Sequence, residues 1–153
     1  MLCIVKGKEM EIRRAIPGDA AEIARMEANI FGDPWSEKDI ASYITSDFGA
    51  CYTALEGGEV VGYIIGQKIP PEAEIYRIAV REDKRRNHIG NLLLTYALDT
   101  ELEKGIYVVY LDVRSRNQAA REFYRYLGFN EVGYRDNYYS NPKDDAVVMM
   151  IRQ

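Results

Sequence analysis

A basic turn between an apolar run and a helical pattern is the part of this chain best suited to chemistry. The run Glu74–Val80 is largely apolar, residues 81–90 read Arg-Glu-Asp-Lys-Arg-Arg-Asn-His-Ile-Gly, and a leucine-rich stripe begins at Leu92. A strand, a basic loop and the first turn of a helix, in that order, present free backbone N–H groups and a positive dipole end to an anion. The stretch therefore predicts a binding site for a pyrophosphate.

Spacing excludes the two common nucleotide-binding loops. A P-loop requires Gly-x-x-x-x-Gly-Lys-Ser/Thr and a dinucleotide-binding turn requires Gly-x-Gly-x-x-Gly. Residues 85–90 contain a single glycine, Gly90. A general nucleic-acid site is also disfavoured, because the net charge is -4 and two acidic residues halve the charge of the basic loop.

The elements that would position this loop are those of one mixed α/β domain. A length of 153 residues with 47% hydrophobic content suits a single globular core. The patterns predict helices within 19–31, 36–44, 89–104 and 117–127, strands at 11–16, 50–55, 60–65, 73–80, 107–113, 129–134 and 146–151, and a polar loop at 135–145. The result is a mixed, mostly antiparallel central sheet of about six to seven strands with helices on both faces. Residues 1–9 are expected to be an N-terminal arm and residues 10–153 the domain.

Cysteine usage and hydropathy indicate the compartment. Cys3 and Cys51 lie far apart in no metal-like or redox-like spacing, which predicts reduced thiols and no metal site. No apolar run approaches the roughly 18 residues of a membrane span. A cytoplasmic protein without membrane or nucleic-acid partners is expected.

The string Arg85-x-x-His88-x-Gly90, directly after Ile78-Ala79-Val80, resembles a known signature. It is similar to the Arg/Gln-x-x-Gly-x-Gly/Ala motif of the GNAT acetyltransferase superfamily, which binds the pyrophosphate of acetyl-CoA. The likeness extends from Met10 over nearly the whole chain and is strongest to the ribosomal-protein alanine N-acetyltransferase type. It implies the GNAT fold with splayed central parallel strands, acetyl-CoA as cosubstrate, and a protein or peptide N-terminus as acceptor.

The resemblance assigns ten residues to the cofactor, covering a strand edge for pantetheine, a loop for pyrophosphate and one asparagine. They are Ile78, Ala79, Val80, Arg85, Arg86, Asn87, His88, Ile89, Gly90 and Asn117. His88 stands where the signature usually has its first glycine. Backbone N–H groups do the binding in such a nest, so the site survives if the φ angle there stays allowed. A catalytic base is the alternative role for His88.

Two proton-transfer residues follow from the same resemblance. Asp112 occupies the place of the glutamate in the family's Leu-Glu-Val-Arg, which is the general base, and Tyr124 that of the tyrosine acting as general acid before Gly-Phe. Asp112 is one methylene shorter and is expected to act through a water. Both residues also have structural interpretations, Asp112 as a strand-end carboxylate paired with Arg114 or Arg116 and Tyr124 as a core residue.

Five residues are expected to line the acceptor groove: Trp35, Glu74, Tyr76, Tyr138 and Tyr139. The resemblance places Trp35 and the two late tyrosines in substrate loops, and Glu74 and Tyr76 are candidates for positioning the water. Trp35 as a lid over the core remains an alternative. Two other functions stay open, a GNAT enzyme acting on a small-molecule amine and a non-catalytic CoA-binding regulatory module.

Overall fold

The computed structural model describes residues 1–153 and contains one eight-stranded sheet with α-helices on both faces. The strands are β1 (Leu2–Val5), β2 (Lys8–Arg14), β3 (Tyr52–Glu56), β4 (Glu59–Ile69), β5 (Glu72–Val80), β6 (Val108–Arg114), β7 (Asn130–Ser140) and β8 (Lys143–Arg152); the helices are α1 (Ala20–Ile30), α2 (Glu37–Thr45), α3 (Ile89–Glu103) and α4 (Gln118–Tyr126). The strand order is β1-β2-β3-β4-β5-β6-β8-β7. Only the pair β5 and β6 is parallel, so the predicted mixed, mostly antiparallel sheet is confirmed.

The sheet has eight strands, one more than the upper end of the expected range, because residues 2–5 form a strand of their own. Strand β1 pairs antiparallel with β2 from Leu2 opposite Glu11 to Val5 opposite Lys8. The terminal ammonium of Met1 also donates to the carbonyl of Ile12 at 2.7 Å. The division into an arm of residues 1–9 and a domain of residues 10–153 stays a prediction, although part of that arm extends the sheet.

Two apolar clusters cover the two faces of the sheet, as expected from helices on both sides. On one face α3 contributes Leu93 and Leu94, which are fully buried with Phe129. On the other face α1 and α2 contribute Ile23 and Ile40, also fully buried. No helix is both long and apolar enough to cross a bilayer.

The sheet opens between its two parallel strands. β5 and β6 are paired only from Glu72 opposite Val108 to Ile75 opposite Leu111, although both strands continue beyond this point. The register of β5 against β4 also shifts between Ile75 and Arg77, which makes Tyr76 the extra residue of a bulge. A bulge bends its strand, and here it lies where β5 leaves β6. The predicted splay of the central parallel strands is present.

The prediction of a polar loop at residues 135–145 is wrong. β7 continues to Ser140 and β8 begins at Lys143, so this stretch is mostly a hairpin. Its outer strand lies at the sheet edge and exposes most residues on both sides, with a register irregularity between Arg135 and Tyr139. An edge strand with two solvated sides carries no apolar alternation, so its sequence reads as a loop.

Candidate active site

The loop between β5 and α3 leaves a continuous row of backbone donors unused. None of the backbone N–H groups of residues 86–91 donates a hydrogen bond within the protein, and α3 has no side-chain cap at its N-terminus. Arg86 and His88 both have positive φ angles, 65° and 62°, which turn the chain into the helix. Successive N–H groups in such a turn, at a helix N-terminus, form a nest for an anion.

The charges of the loop divide into paired and unpaired cations. Arg81 forms ion pairs with Asp83 at 2.7 Å and with Glu59 at 3.4 Å. Lys84 is similarly held by Glu56 at 3.1 Å. Arg85 and Arg86 form no salt bridge, and the Nε of Arg85 donates to the carbonyl of Val80 at 3.0 Å. The free positive charge of the loop therefore belongs to Arg85 and Arg86, the residues closest to the free N–H groups.

The gap between β5 and β6 contains two adjoining cavities of about 370 and 430 Å³. The first, here called the acceptor cavity, is lined by all five predicted groove residues and Asp112, namely Trp35, Glu74, Tyr76, Asp112, Tyr138 and Tyr139. The second, here called the thioester cavity, is lined by Ile78, Asn117 and Tyr124 together with Asp112, Tyr76 and Tyr139. Both predicted proton-transfer residues thus face one cleft, with Asp112 bordering both cavities.

Tyr124 has a buried ring and an unengaged hydroxyl group. The residue is 7% exposed, and its ring packs against those of Phe123 and Phe129 at centroid distances of 5.3 and 5.7 Å. Its hydroxyl has no hydrogen-bond partner in the protein but is not sealed from solvent, because it borders the thioester cavity. Burial raises the pKa of Tyr124 well above its ordinary value, so the group stays protonated and able to donate.

Asp112 and Glu74 both line the acceptor cavity from neighbouring strands. Asp112 Oδ1 lies 3.3 Å from the Nε of Arg135, rather than beside Arg114 or Arg116. Burial raises the pKa of Glu74, the nearby charge of Asp112 raises it further, and Arg135 opposes both effects. The negative charge of Asp112 therefore disfavours ionisation of Glu74, and both side chains line the same cavity.

Aromatic rings form the walls of the acceptor cavity. Trp35, Tyr43 and Tyr76 pack together with centroid distances of 5.1 to 5.8 Å. Tyr138 and Tyr139 form a second, edge-on pair at 5.0 Å. Trp35 is thus both packed against neighbouring rings and exposed to the cavity, which reconciles its two sequence interpretations.

Comparison with known proteins places this geometry in a family. Residues 20–129 match the acetyltransferase (GNAT) family. The chain belongs to the GNAT acetyltransferase family. It is 34% identical over 120 residues to the [ribosomal protein bS18]-alanine N-acetyltransferase of Escherichia coli K12, which covers 77% of this chain and 80% of the relative. It is 36% identical over 137 residues, covering 86% and 85%, to the N-alpha-acetyltransferase RimI of Mycobacterium tuberculosis. The crystal structure of the Escherichia coli ribosomal-protein-S18-alanine N-acetyltransferase superposes with a TM-score of 0.87, at 30% identity, over 94% of this chain and 93% of that chain.

The strand register of this GNAT acetyltransferase shows which backbone donors face the cleft. The N–H of Arg81 donates to the carbonyl of Val61, and hydrogen-bonded pairs alternate along an antiparallel ladder. The pairs Tyr63–Ala79 and Ile65–Arg77 are then the hydrogen-bonded ones. The N–H groups of Ile78 and Val80 consequently point away from β4, into the gap left by β6.

Sequence reasoning missed a buried carboxylate that holds the loop after α1 against β5, beside the first cavity. Glu27 is fully buried and accepts hydrogen bonds from the hydroxyl of Tyr63 at 2.7 Å, the backbone N–H of Trp35 at 3.1 Å and Nε of Arg77 at 3.3 Å. Arg77 also donates to the carbonyl of Asp33 at 2.7 Å. The network ties the loop after α1 to β5. Its signal was present, because Glu27 is a charged residue at an apolar position of the α1 stripe.

We expect Glu27→Gln to loosen the loop after α1 without disturbing the loop between β5 and α3. The substitution keeps the shape but leaves the half-buried Arg77 without its fully buried anionic partner, which costs about 2 kcal/mol of folding free energy. Urea denaturation measures the loss, and the KM for an acceptor should rise while that for acetyl-CoA stays constant. Glu22→Gln on the same helix is the control for a single backbone contact, since Glu22 accepts only from the N–H of Val60. A change in the acetyl-CoA KM alone would contradict the assignment.

Proposed function

We propose that this GNAT enzyme transfers an acetyl group from acetyl-CoA to the α-amine of a protein N-terminus, by direct attack in a ternary complex in the cytoplasm. The observation that carries the proposal is the cleft itself, with Tyr124 in one cavity and carboxylates between aromatic walls in the next. The names of the relatives support this acceptor, because one is an alanine N-acetyltransferase and another an N-alpha-acetyltransferase. An aromatic groove suits an extended peptide better than a small polar amine.

In this proposal the pyrophosphate and the pantetheine arm of acetyl-CoA each bind groups on neighbouring segments of the protein. Its pyrophosphate lies on the free N–H groups of residues 86–91, with Arg85 and Arg86 supplying charge. Pantetheine pairs with the open edge of β5 from Ile78 to Val80. Asn117 already accepts from the N–H of Ala120 at 3.1 Å as the cap of α4, and its amide N–H₂ remains able to donate to the cofactor.

The chemistry requires a neutral amine, a polarised carbonyl and a proton for the leaving thiolate. The Ile78 N–H, which faces the gap, stabilises the oxyanion of the tetrahedral intermediate. Tyr124 protonates the departing sulfur, and the carboxylate pair headed by Asp112 removes a proton from the amine, through a water where needed. An α-amine has a pKa of about 8, against about 10.4 for a lysine side chain, so a modest base is sufficient.

The proposal is tested by following CoA release with acetyl-CoA and a panel of acceptors. The panel holds short peptides beginning with Ala, Ser, Met or an acidic residue, beside polyamines, free amino acids and N-terminally blocked peptides. We expect release with unblocked peptides only. Modification of small amines alone would make the acceptor assignment wrong, and no release with any acceptor would favour the regulatory CoA-binding alternative.

We expect His88→Gly to retain full turnover with an unchanged or lower KM for acetyl-CoA. His88 has a left-handed φ of 62°, which costs an L-residue about 1–2 kcal/mol and a glycine almost nothing. His88→Ala is the matched control, because it removes the imidazole but keeps the conformational cost. A His88→Gly enzyme that binds acetyl-CoA normally and fails to turn over would show that the histidine is catalytic.

A further inference from the structure

Tyr76 borders three cavities of the cleft, and no other residue lines all three. Two of them are the acceptor cavity and the thioester cavity. The third, here called the side cavity, has a volume of about 130 Å³ and is lined by Gln67, Ile69, Glu72, Ala73, Glu74, Tyr76 and Tyr110. The side chain of Tyr76 therefore lies between the place where the acetyl group is transferred and a further space beside it.

The bulge in β5 sets the direction of the Tyr76 side chain. Across the register shift, Gly66 on β4 pairs with Ile75. A Cβ at position 66 would lie 2.8 Å from the carbonyl oxygen of Glu74, so a side chain there would force the two strands apart. A bulge re-aims the side chain of its extra residue, and here it turns Tyr76 toward the cleft.

Contacts on two sides hold the ring of Tyr76 in place. Its hydroxyl donates to Oε1 of Gln67 at 3.1 Å. Its ring packs against those of Trp35 and Tyr43, with centroid distances of 5.8 and 5.7 Å. Burial raises the pKa of Tyr76 and the charge of Glu74 raises it further, so the hydroxyl stays protonated and able to donate.

Gln67 meets the reacting groups only through Tyr76. Its backbone is fixed on both sides, because it pairs with Glu74 on β5 and forms a bridge with Gly49 on the other side of β4. Its side chain makes one hydrogen bond, to Tyr76. Gln67 lines the side cavity but neither the acceptor cavity nor the thioester cavity. Any effect of Gln67 on the acceptor must therefore be transmitted by the tyrosine.

The first residue of an acceptor peptide must lie beside Tyr76. The amine nitrogen reacts where the acceptor cavity meets the thioester cavity, and Tyr76, Asp112 and Tyr139 line both. The first side chain starts from the carbon that carries this nitrogen. Asp112 and Tyr139 do not border the side cavity, so the ring of Tyr76 is the group that a long first side chain would have to displace to enter it.

We propose that Tyr76, held by Gln67, closes the side cavity to the acceptor and so restricts the enzyme to protein N-termini with a small first side chain, such as alanine or serine, against methionine or leucine. This inference deepens the proposed function and rests on it. Tyr76 is then a specificity-determining residue and Gln67 a positioning residue. A long side chain fits only when the ring moves, which breaks its hydrogen bond and separates it from two aromatic neighbours.

The test measures kcat/KM for two peptides that differ only in the first residue, alanine or methionine. Tyr76→Ala opens the side cavity, and the methionine-to-alanine ratio of kcat/KM should rise about 10–100-fold. Tyr76→Phe and Gln67→Leu each remove only the hydrogen bond, and each should raise the ratio about 3–10-fold. The KM for acetyl-CoA should stay constant. Tyr107→Phe is the control, because Tyr107 is exposed and borders none of the three cavities.

A double variant separates positioning of the ring from general loosening of the fold. If the hydrogen bond is the shared cause, Tyr76→Phe combined with Gln67→Leu should show the ratio of either single variant rather than the product of the two effects. Thermal midpoints verify that each variant folds. If Tyr76→Ala fails to fold, the two mild variants decide the matter.

Three results would overturn the inference. An unchanged ratio in folded Tyr76→Ala, or multiplying effects of the two mild variants, would do so and leave the proposed function intact. A wild type that already prefers the methionine peptide would have the same meaning. A wild type that acetylates only small amines would overturn the proposed function and this inference with it.

Discussion

Tyr124→Phe should reduce kcat by about 10²–10⁴-fold, because it removes one hydroxyl group and with it the proton donor for the leaving thiolate. The ring of Tyr124 packs between Phe123 and Phe129, and its hydroxyl bonds to nothing in the protein, so phenylalanine fills the same space. The KM for acetyl-CoA and the thermal midpoint should therefore stay unchanged. Steady-state kinetics with a peptide acceptor measures the effect.

The pH dependence of wild-type turnover provides a second readout of the same group. The pKa of Tyr124 is raised above its ordinary value of about 10, so the acid stays protonated as the pH rises and no alkaline loss from its ionisation should appear below about pH 10. Tyr126→Phe is the matched control, because Tyr126 lies on the same helix and is 79% exposed. Turnover within twofold of wild type in Tyr124→Phe would eliminate this residue as the general acid.

Removing both unpaired cations of the cofactor loop should have the next largest effect. Hydrogen bonds to a charged group contribute about 1.5–3 kcal/mol, and solvent exposure of this loop reduces that to about tenfold in affinity for each arginine. Arg85→Ala with Arg86→Ala should therefore raise the KM for acetyl-CoA about 100-fold with kcat nearly unchanged. The dependence of this KM on salt concentration should also weaken.

The loop contains its own control for that experiment. Arg81 forms ion pairs with Asp83 and Glu59, and these two carboxylates offset its positive charge. Arg81→Ala should therefore leave the KM for acetyl-CoA unchanged. An equal effect of Arg81→Ala would show that overall charge, rather than the position of Arg85 and Arg86 beside the free N–H groups, determines binding. No effect of the double variant would contradict the placement of pyrophosphate on this loop.

The sequence predicts the features of the fold and of the site that depend on local residue patterns and on the order of the motifs. The strand, turn and helix around Gly90 and the cap at Asn117 follow from backbone chemistry that each short segment carries by itself. The likeness of ordered motifs then brought Asp112 and Tyr124 into one cleft, which their spacing in the sequence could not do. The structure confirms that they line the same gap between β5 and β6.

What the sequence could not predict depends on long-range pairing. The partner of Asp112 is Arg135, which lies in the stretch that reads as a loop, and neither the second half of β7 nor its register shift has an apolar signature. Glu27 reaches Arg77 across 50 positions, so its role is visible only when α1 lies against β5. The bulge at Tyr76 arises from the pairing of β5 with β4, and the residue type at this position does not predict it.

The most direct test of the central claim is to locate the acetyl group by tandem mass spectrometry on a single peptide that carries both a free N-terminal alanine and an internal lysine. Incubation with acetyl-CoA near pH 7 should place one acetyl group on the α-amine and none on the lysine, and blocking the N-terminus should abolish modification. Acetylation of the lysine side chain, or of added polyamine in preference to either amine of the peptide, would contradict the account.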